Sequence, residues 1–476
     1  MKRESKKKVL LVSSSFEDLP WAPEGKTTEV STSYPVGLAY LYSYIESKNI
    51  DVKMLPLNRK PFSYCFKKTI EEIENFTPEI IGFQIITSNR VSSYRLIEHI
   101  HKNYPKIKLV AGGIHTTIMY KQLIEKYPFL IAVLGEGEKT FVELIEEINK
   151  KQPNLKKIDG IAFYKNNKVM RTKPREVIKD LDTLPFPKHE LFFKDKSRYS
   201  GCIFTSRGCH FSCSFCCLNP ETKRIVRFRS PKNVVDEIEF MIKKFPQMKE
   251  IDVLDDSFFT DNERVIKICD EIIKRKIKIN FVCSGRIKPL SKEMIKKLEQ
   301  ANFKKVMLGL ESGDNSILMA CHKGINQEDV INAFKLFSKS PINLKTFLIV
   351  GLPGENIKTI KETSRFIKKI QKIKYVSYAN FTNLLIIYPG TEVYEIAKSK
   401  GMIDDEFWLS DKEIPIFTAE NSYEELKKFG EIILDNVAFH RIITPKGFKA
   451  QFDMIPYLVV YLIKKILERI KNGKLI

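Results

Sequence analysis

Three cysteines with spacings of x3 and x2 occur in the stretch Arg207-Gly-Cys-His-Phe-Ser-Cys-Ser-Phe-Cys216, and this stretch decides the fold. It follows a short apolar run at residues 202–205 that is typical of a β-strand. Cysteine thiolates so close together can hold three corners of a cubane iron–sulfur cluster, whereas a complete all-cysteine site needs four. The pattern therefore predicts a cluster with one iron left open to a substrate or cofactor.

The same thiols also suit a structural zinc ion with Cys217 or His210 as the fourth ligand. Zinc motifs of this type usually pair two Cys-x2–4-Cys clusters, and the sequence contains no second cluster. An iron–sulfur cluster is therefore the favoured interpretation. The remaining thiols of this half are expected to be core or bystander residues: Cys202, Cys217, Cys269, Cys283 and Cys321.

Downstream of the cysteines, strand-like runs alternate with helical patterns as far as about residue 401. One helix has a clear beginning at Ser230-Pro231, since serine is a good cap and proline suits the first turn. Six βα units in about 200 residues are fewer than the eight that close a full barrel, so we predict a partial, open-sided parallel barrel. The predicted strands are residues 202–205, 251–254, 279–283, 306–310, 347–350 and 381–387.

The first 150 residues show a separate βα alternation, which predicts a doubly wound parallel sheet with helices on both faces. Two glycine-bearing turns follow predicted strands, at Gly112-Gly113 and at Gly135-Glu-Gly137. Ligands of such sheets bind beyond the carboxyl ends of the strands, where glycine lets the backbone approach closely. The alternative is that these glycines only form tight turns. The predicted strands are residues 9–13, 52–57, 80–86, 108–111 and 130–134, with helices at 36–47 and 91–104.

The two alternations are separated by a hairpin-like segment with Asn166-Asn167 at its turn and by a proline-containing extended linker. We therefore predict four regions in the chain. They are the N-terminal sheet domain (1–151), a hairpin and linker (152–195), the barrel (196–425) and a helical, basic C-terminal region (426–476).

The chain has 476 residues and a net charge of +22 from 80 Lys and Arg against 58 Asp and Glu. With 43% hydrophobic residues it can bury a large core, which excludes wholesale disorder. Nine cysteines are too few for a disulfide scaffold, and the sequence contains neither a signal peptide nor an apolar run of spanning length. We expect a cytoplasmic protein.

The C-terminal region has one feature that qualifies this expectation. Residues 455–470 mix apolar positions at helical spacing with Lys464, Lys465 and Arg469. Two interpretations stay open: a helix packed on the barrel, and a basic amphipathic helix that lies on a membrane surface. The second would make the protein peripheral at the membrane.

These features resemble the radical S-adenosylmethionine superfamily, whose Cys-x3-Cys-x2-Cys loop follows the first strand of a partial (βα)6 barrel. Further matches stand at the ends of later predicted strands: Asp255-Asp256, Gly309-Leu-Glu-Ser-Gly313, Gly351-Leu-Pro-Gly-Glu355 and Pro389-Gly-Thr391. Together with the N-terminal region, residues 8–425 resemble the subgroup that carries a cobalamin-binding domain.

The resemblance implies that Cys209, Cys213 and Cys216 ligate a 4Fe–4S cluster whose open iron binds S-adenosylmethionine. One electron from the cluster would cleave that molecule to methionine and a 5′-deoxyadenosyl radical.

Four charged residues are implied in binding S-adenosylmethionine. Asp255 and Asp256 stand where the superfamily often has Gly-Gly-Glu, which leaves open which of them receives the methionine ammonium. Arg286 and Glu311 would hold the carboxylate and the ribose. The alternative is that all four form surface ion pairs at strand ends.

The N-terminal domain would bind cobalamin through Gly112, Gly113, Gly135 and Gly137, with Thr87 and Ser88 beside the nucleotide tail. The alternative is a cobalamin-type fold without the cofactor. The Asp-x-His-x-x-Gly motif of one familiar cobalamin pattern is absent, so the motif assigns no histidine as lower ligand. His115 follows the glycine pair, but a single loop histidine is more often a hydrogen-bonding residue than a ligand.

The function implied is methylation of an unreactive carbon or phosphorus centre of a small-molecule or lipid substrate, with flavodoxin or ferredoxin as electron donor. One alternative is a radical cyclase or rearrangement enzyme, like the anaerobic ring-forming enzyme of chlorophyll synthesis. Another is an RNA-modifying enzyme, which the charge of +22 suggests. Related methylthiotransferases carry a second three-cysteine cluster in their N-terminal domain, whereas residues 1–150 contain only Cys65. A non-enzymatic cluster-binding protein is the remaining class.

Overall fold

The computed structural model describes residues 7–16, 34–193, 199–218, 224–378 and 383–442, with side chains as far as residue 434. The first sheet has the strand order β2-β1-β3-β4-β5, and all of these neighbours pair in parallel. The change in direction of the strand order falls between β1 and β3, which is the usual ligand position of a doubly wound sheet. The strands are β1 (Lys8–Ser13), β2 (Asp51–Pro56), β3 (Ile80–Gln84), β4 (Lys108–Gly112) and β5 (Ile131–Val133).

Both faces of this sheet are covered, because alternate residues of β1 enter two different cores. Leu11 packs in one core with residues of α1 and α6, and Leu10 packs in the other with residues of α2 and α3. A central parallel strand is apolar on both sides for this reason. The helices are α1 (Val36–Glu46), α2 (Phe62–Phe76), α3 (Arg90–Asn103), α4 (Ile114–Ile118), α5 (Tyr120–Lys126) and α6 (Gly137–Ile148).

The predicted hairpin forms from β6 (Ile161–Lys165) and β7 (Lys168–Arg171), with Asn166 and Asn167 at φ of 54° and 56°. This left-handed pair is the conformation that a two-residue hairpin turn requires. The hairpin does not stand apart, however, because β6 pairs antiparallel with β5 and extends the first sheet. The first sheet therefore continues as far as Arg171. The division of the chain into four regions remains a prediction.

The second sheet is the predicted half-barrel. Its strand order is β8-β11-β12-β13-β14-β15, with every pair parallel, and β16 also pairs with β14. Of the last predicted strand, 381–387, residues 383–384 form β16 and residues 381–382 lie outside the described residues, while β15 precedes the predicted run. The strands of this sheet are β8 (Ser200–Ile203), β11 (Glu250–Val253), β12 (Asn280–Gly285), β13 (Phe303–Glu311), β14 (Asn343–Val350), β15 (Ser377–Tyr378) and β16 (Asn383–Leu384). Two further strands, β9 (Ser206–Arg207) and β10 (Arg227–Phe228), form a separate antiparallel pair.

The helices of this half pack outside the curved sheet. On β14, the half-buried side chains of Lys345, Phe347 and Ile349 alternate with fully buried ones, so one face of the strand packs on helices and the other faces the open interior. The predicted cap is confirmed, since Ser230 Oγ accepts the Asn233 N–H. The helices are α7 (Pro231–Lys244), α8 (Asn262–Lys274), α9 (Lys292–Gln300), α10 (Asn315–Ala320), α11 (Gln327–Phe337), α12 (Ile357–Ile373), α13 (Glu392–Ser399) and α14 (Tyr423–Ile442).

The two sheets share their cores. The core that contains Leu11 continues to Cys202 and Leu426, and the one that contains Leu10 continues to Leu385 and Trp408. Among the described residues, no helix has both the length and the apolar character that a bilayer span requires. The amphipathic segment predicted at residues 455–470 lies outside the described residues.

Candidate functional site

The three cysteines of the motif lie on the loop that follows β9, at the carboxyl end of the half-barrel. Gly208 begins this loop at φ +94°, and a Cβ there would stand 2.2 Å from the Ile225 carbonyl oxygen. Only glycine fits this close approach. The loop thus turns away from the strand just before Cys209.

Arg286 lies directly against the cysteine loop. Its Nη1 donates to Cys213 Sγ at 3.1 Å, and its guanidinium lies 3.6 Å from the centre of the Phe211 ring. The side chain is 6% exposed, and Nε and Nη2 have no hydrogen-bond partner within the described part of the chain. Buried N–H groups without a partner are costly. They fit an anionic group, such as a cofactor carboxylate, bound beside the cluster.

Two of the three thiols of the motif have raised pKa values, so they ionise on binding a metal rather than as free thiols. Burial raises the pKa of Cys209 and raises the pKa of Cys216 to about 12, so both hold their protons until metal displaces them. In the described ranges, no three His, Cys, Asp or Glu side chains converge on a single metal position. A cubane does not need such convergence, because each cysteine binds a different iron. The donor set therefore fits a cluster with one open iron.

The two aspartates after β11 have different surroundings. Asp255 is 4% exposed and accepts hydrogen bonds from the backbone N–H and the hydroxyl of both Thr205 and Ser206. Arg264 lies 3.7 Å from the same carboxylate. With its oxygens thus occupied, Asp255 fixes the end of the first barrel strand.

Asp256, in contrast, is exposed to a cavity and accepts the Gly208 N–H at 2.9 Å. The surrounding protein reduces the hydration of the carboxyl group, which raises its pKa against the opposing effect of that hydrogen bond. Of the two aspartates, Asp256 is thus the one that can meet the ammonium group of a cofactor.

Glu311 ends β13 in a left-handed conformation, at φ 65°, which is strained for a residue with a side chain. Its carboxylate is 2.7 Å from Lys323 Nζ, and both side chains are buried. Strained backbone of this kind persists where the surroundings hold it, often at functional sites. Lys323 was not predicted from the sequence, since a single lysine in a turn carries no signal of its own.

A cavity of about 320 Å³ lies between the carboxyl edge of the first sheet and β9, which precedes the cysteine loop. Four predicted glycines line it, namely Gly112, Gly113, Gly135 and Gly137. The half-barrel contributes polar groups to the opposite wall: Ser206, Arg207 and Asp256. One cavity therefore borders both predicted cofactor regions.

The glycines allow a flat ligand to approach the backbone. A Cβ on Gly135 would meet no atom within 4 Å, and one on Gly112 would have 3.8 Å to its nearest neighbour, Val133. Gly113 has a structural role, because its φ is +99° and a Cβ there would stand 2.6 Å from the Ile85 carbonyl oxygen. This edge, with Gln84 and Tyr40 beside it, fits the large planar ring of a corrinoid and its amide side chains.

Thr87, Ser88 and His115 do not line this cavity. His115 is fully buried, with Nδ1 3.1 Å from the Thr87 hydroxyl and Nε2 2.9 Å from the Tyr94 hydroxyl. Burial, and to a smaller extent the charge of Arg90, lowers the pKa of His115 to about 3. Both ring nitrogens thus have protein partners, and the geometry does not place the imidazole as a cobalt ligand. Thr87 is engaged with this histidine rather than with the cavity.

Sequence reasoning missed the ionic contacts that join the two halves at the cavity. Arg207 bridges to Glu136 and Glu138, which alternate with the predicted glycines. The signal was present, because the glutamates stand inside the Gly135-Glu-Gly-Glu138 turn and the arginine begins the cysteine motif. Nothing in the sequence, however, brings the two motifs together.

Comparison with known proteins identifies two families along the chain. Residues 203–367 match the sequence profile of the Radical SAM superfamily, and residues 28–145 match that of the B12 binding domain. The chain is 30% identical over 386 residues to an uncharacterized methyltransferase of Pyrococcus horikoshii, covering 79% of this chain and 81% of that protein. It is 28% identical to the anaerobic magnesium-protoporphyrin IX monomethyl ester cyclase of Rubrivivax gelatinosus, covering 69% of this chain and 61% of the cyclase.

The fold has a solved counterpart. The cobalamin-dependent S-adenosylmethionine radical enzyme OxsB, with aqua-cobalamin and S-adenosylmethionine bound, superposes with a TM-score of 0.74 at 19% identity, covering 96% of this chain and 72% of that one. The chain therefore belongs to the radical S-adenosylmethionine superfamily, and it is an enzyme of the branch that carries a cobalamin-binding domain and uses a 4Fe–4S cluster, S-adenosylmethionine and cobalamin.

Proposed function

We propose that this enzyme transfers a methyl group to an unactivated carbon or phosphorus centre of a small-molecule or lipid substrate. The observation that carries the proposal is the shared cavity, in which glycines of the first sheet face Asp256 and Arg207 of the half-barrel. A methyl group carried in that cavity would lie next to the place where the substrate is activated. When bound, the cluster supplies the electron that cleaves S-adenosylmethionine, and the corrinoid carries the methyl group.

The chain's own residues bind and orient. Cys209, Cys213 and Cys216 would hold the cluster on a loop whose course Gly208 fixes. Arg286 is placed by its stacking on Phe211 to receive a carboxylate beside Cys213.

Two carboxylates would complete the binding of S-adenosylmethionine. Asp256 is available for the ammonium group because Asp255 is taken up by Thr205 and Ser206. Glu311 would meet the ribose, held in place by Lys323.

The match to a protein named as a methyltransferase, at 30% identity over most of both chains, favours methylation. The second candidate function is radical cyclisation, which the match to the magnesium-protoporphyrin ester cyclase supports. The two reactions use the same cofactor residues and differ in the fate of the methyl group. Either reaction also requires an electron donor for the cluster, such as flavodoxin or ferredoxin.

The test is a turnover experiment with methyl-deuterated S-adenosylmethionine. The enzyme, anaerobically reconstituted with iron, sulfide and cobalamin, is incubated with extracts of small molecules or lipids and a reductant. A product that gains a fully deuterated methyl group supports methyl transfer. Formation of 5′-deoxyadenosine with a product that lacks the label contradicts it and favours cyclisation. The variant Cys213→Ala is the control, because it should form neither product.

A further inference from the structure

We propose that Arg207 is a positioning residue that fixes the cobalamin cavity against the cluster loop. The inference rests on the proposed function, because it assumes that both cofactors act in one turnover. Arg207 belongs to β9 of the half-barrel, yet its side chain contacts the N-terminal domain and lines the cavity.

The guanidinium of Arg207 forms ion pairs with two glutamates in one turn of the N-terminal domain. Nη1 lies 3.0 Å from Glu136 Oε1, and Nη2 lies 2.7 Å from Glu138 Oε1. The guanidinium also lies 5.1 Å from the centre of the Tyr40 ring. A planar fork that holds two carboxylates fixes direction as well as distance.

A second arginine contacts the same turn. Arg227 stands opposite Arg207 in the antiparallel β9–β10 pair and donates to Glu136 at 2.8 Å. It also donates to the Ile178 carbonyl oxygen at 2.7 Å. Although burial pushes the pKa of Glu136 upward, the hydrogen bond from Arg227 and the charge of Arg207 hold it below its usual value. Glu136 is therefore an anion shared by two arginines.

The backbone connects the ion pairs of Arg207 directly to the cluster loop. Arg207 is followed by Gly208, whose φ of +94° admits no side chain, and then by Cys209. The Gly208 N–H is held in turn by Asp256, another residue of the cavity wall. The first cluster ligand thus stands two residues beyond the side chain that grips the cobalamin domain.

The side chains involved are 6–20% exposed, so these ion pairs are well shielded from water. Removing one partner of a shielded pair leaves the other charge unsatisfied, which weakens the contact far more than at an exposed site. The loss of Arg207 would leave Glu138 without its partner in the half-barrel and Glu136 held by Arg227 alone. The expected effect is a change in the relative position of the two cofactors without the loss of any cofactor ligand.

The experiment compares Arg207→Gln, Arg207→Lys and Arg227→Gln with the unchanged enzyme, each reconstituted with cluster and cobalamin. Cobalamin affinity is measured by equilibrium dialysis. The separation of the reduced cluster and the cob(II)alamin centre is measured by pulsed electron paramagnetic resonance. Arg227 is the informative variant because it is not among the residues that line the cavity, so any effect on cobalamin must be indirect, through its contacts with Glu136, Ile178 and β9. Arg275→Gln is the matched control, since Arg275 bridges Asp236, Glu239 and Glu271 of the half-barrel helices.

We expect Arg207→Gln to bind cobalamin at least tenfold more weakly and to broaden the distribution of distances between the two centres. Arg227→Gln should show the same effects at about threefold, Arg207→Lys should fall between, and Arg275→Gln should change neither. A double variant Arg207→Gln/Glu138→Gln should be no worse than Arg207→Gln alone, because the two residues act through one contact.

An unchanged distance distribution in Arg207→Gln would overturn the proposal, even if affinity falls, because Arg207 would then be only a direct cofactor contact. If Arg207→Gln does not fold, the outcome for Arg227→Gln decides. None of these measurements requires methyl transfer, so a failure here is distinguishable from a failure of the proposed methyltransferase function.

Discussion

The Asp256 carboxylate accepts a hydrogen bond from the Gly208 backbone N–H at 2.9 Å, while its neighbour Asp255 is buried and accepts from Thr205 and Ser206. One aspartate thus faces the cofactor region, and the other faces the protein. Asp256 thus has a functional role and Asp255 a structural one. The positions of the two aspartates in the sequence do not show which has which role.

This division predicts different outcomes for two conservative substitutions. Asp255→Asn should reduce the free energy of unfolding by about 3 kcal/mol, because Arg264 and two hydroxyl donors lose a buried anion. Asp256→Asn should leave stability within about 1 kcal/mol and weaken S-adenosylmethionine binding at least tenfold. Urea denaturation and equilibrium dialysis check the pair. Equal losses of stability in the two variants would contradict the assignment.

Adjacent glycines of the first sheet make a second matched pair. Gly113→Ala should reduce the free energy of unfolding by about 2 kcal/mol, because its Cβ would meet the Ile85 carbonyl oxygen in a left-handed conformation. Gly112→Leu has room at Cβ and should fold, but it should lower cobalamin affinity at least tenfold by filling the cavity. Cobalamin affinity is followed by dialysis. Normal binding by Gly112→Leu would show that cobalamin lies elsewhere.

The cysteine spacing predicts which thiols are essential. Alanine at Cys209, Cys213 or Cys216 should abolish 5′-deoxyadenosine formation, whereas Cys217→Ala should retain it, since three thiolates complete the protein's share of the cluster. Iron and sulfide content and chromatography of the cleavage products are the measurements. Full activity in any of the first three variants, or zinc in place of iron, would refute the cluster assignment.

His115 should make stability depend on pH. Its pKa is about 3 in the folded protein and about 6.5 when unfolded, so the unfolded chain binds the proton first as pH falls. The contribution of His115 to the free energy of unfolding is fully present above pH 6.5. It is lost as the pH falls toward 3, and the loss amounts to about 2 kcal/mol by pH 5. Urea denaturation at pH 7 and pH 5 should show this loss in the unchanged protein and a loss smaller by that amount in His115→Gln.

The same histidine should give no spectroscopic sign of cobalt ligation, because its ring nitrogens bind Thr87 and Tyr94. The cob(II)alamin form of the enzyme should lack nitrogen superhyperfine splitting from the protein. Splitting that disappears in His115→Gln would contradict this expectation.

The two interpretations of the basic C-terminal segment differ in membrane binding: a membrane-surface helix should bind anionic vesicles, whereas a helix packed on the barrel should not. Each Lys or Arg near such a surface contributes about 1 kcal/mol, so replacing Lys464, Lys465 and Arg469 by Gln should sharply reduce co-sedimentation with anionic vesicles. Neutral vesicles should bind neither protein. Equal binding of both proteins to anionic vesicles would leave the segment without a role at the membrane.

Much of the fold was predictable because parallel βα units carry a strong periodic signal. The five strands of the first sheet lie within a few residues of their predicted positions, and the turn at Asn166-Asn167 has the predicted geometry. The pairing of β6 with β5 was not predictable, because the sequence of a hairpin does not state which sheet edge it joins. Within the final predicted strand, 381–387, the described residues form the short strand β16, while β15 lies before the predicted run.

The candidate site was predictable where chemistry fixes spacing along the chain. The cysteines, the glycines and Arg286 lie at carboxyl strand ends where the pattern placed them, whereas Thr87 and Ser88 lie outside the cavity. Lys323 acquires its role through Glu311, a contact made within the half-barrel that no motif in the sequence marks. Glu138 acquires its role through Arg207, which is distant in sequence, and that pair depends on how the two sheets are docked.

The shared cores have a consequence for recombination between related chains. Residues as far apart as Leu11 and Leu426 belong to one continuous core, and Leu10 and Trp408 belong to the other. Severing the chain between the sheets would expose apolar surface on both fragments, so neither half is a free-standing module. A recombination event that imported a new cobalamin domain would have to bring its matching barrel surface with it, and the two halves are therefore expected to be inherited together.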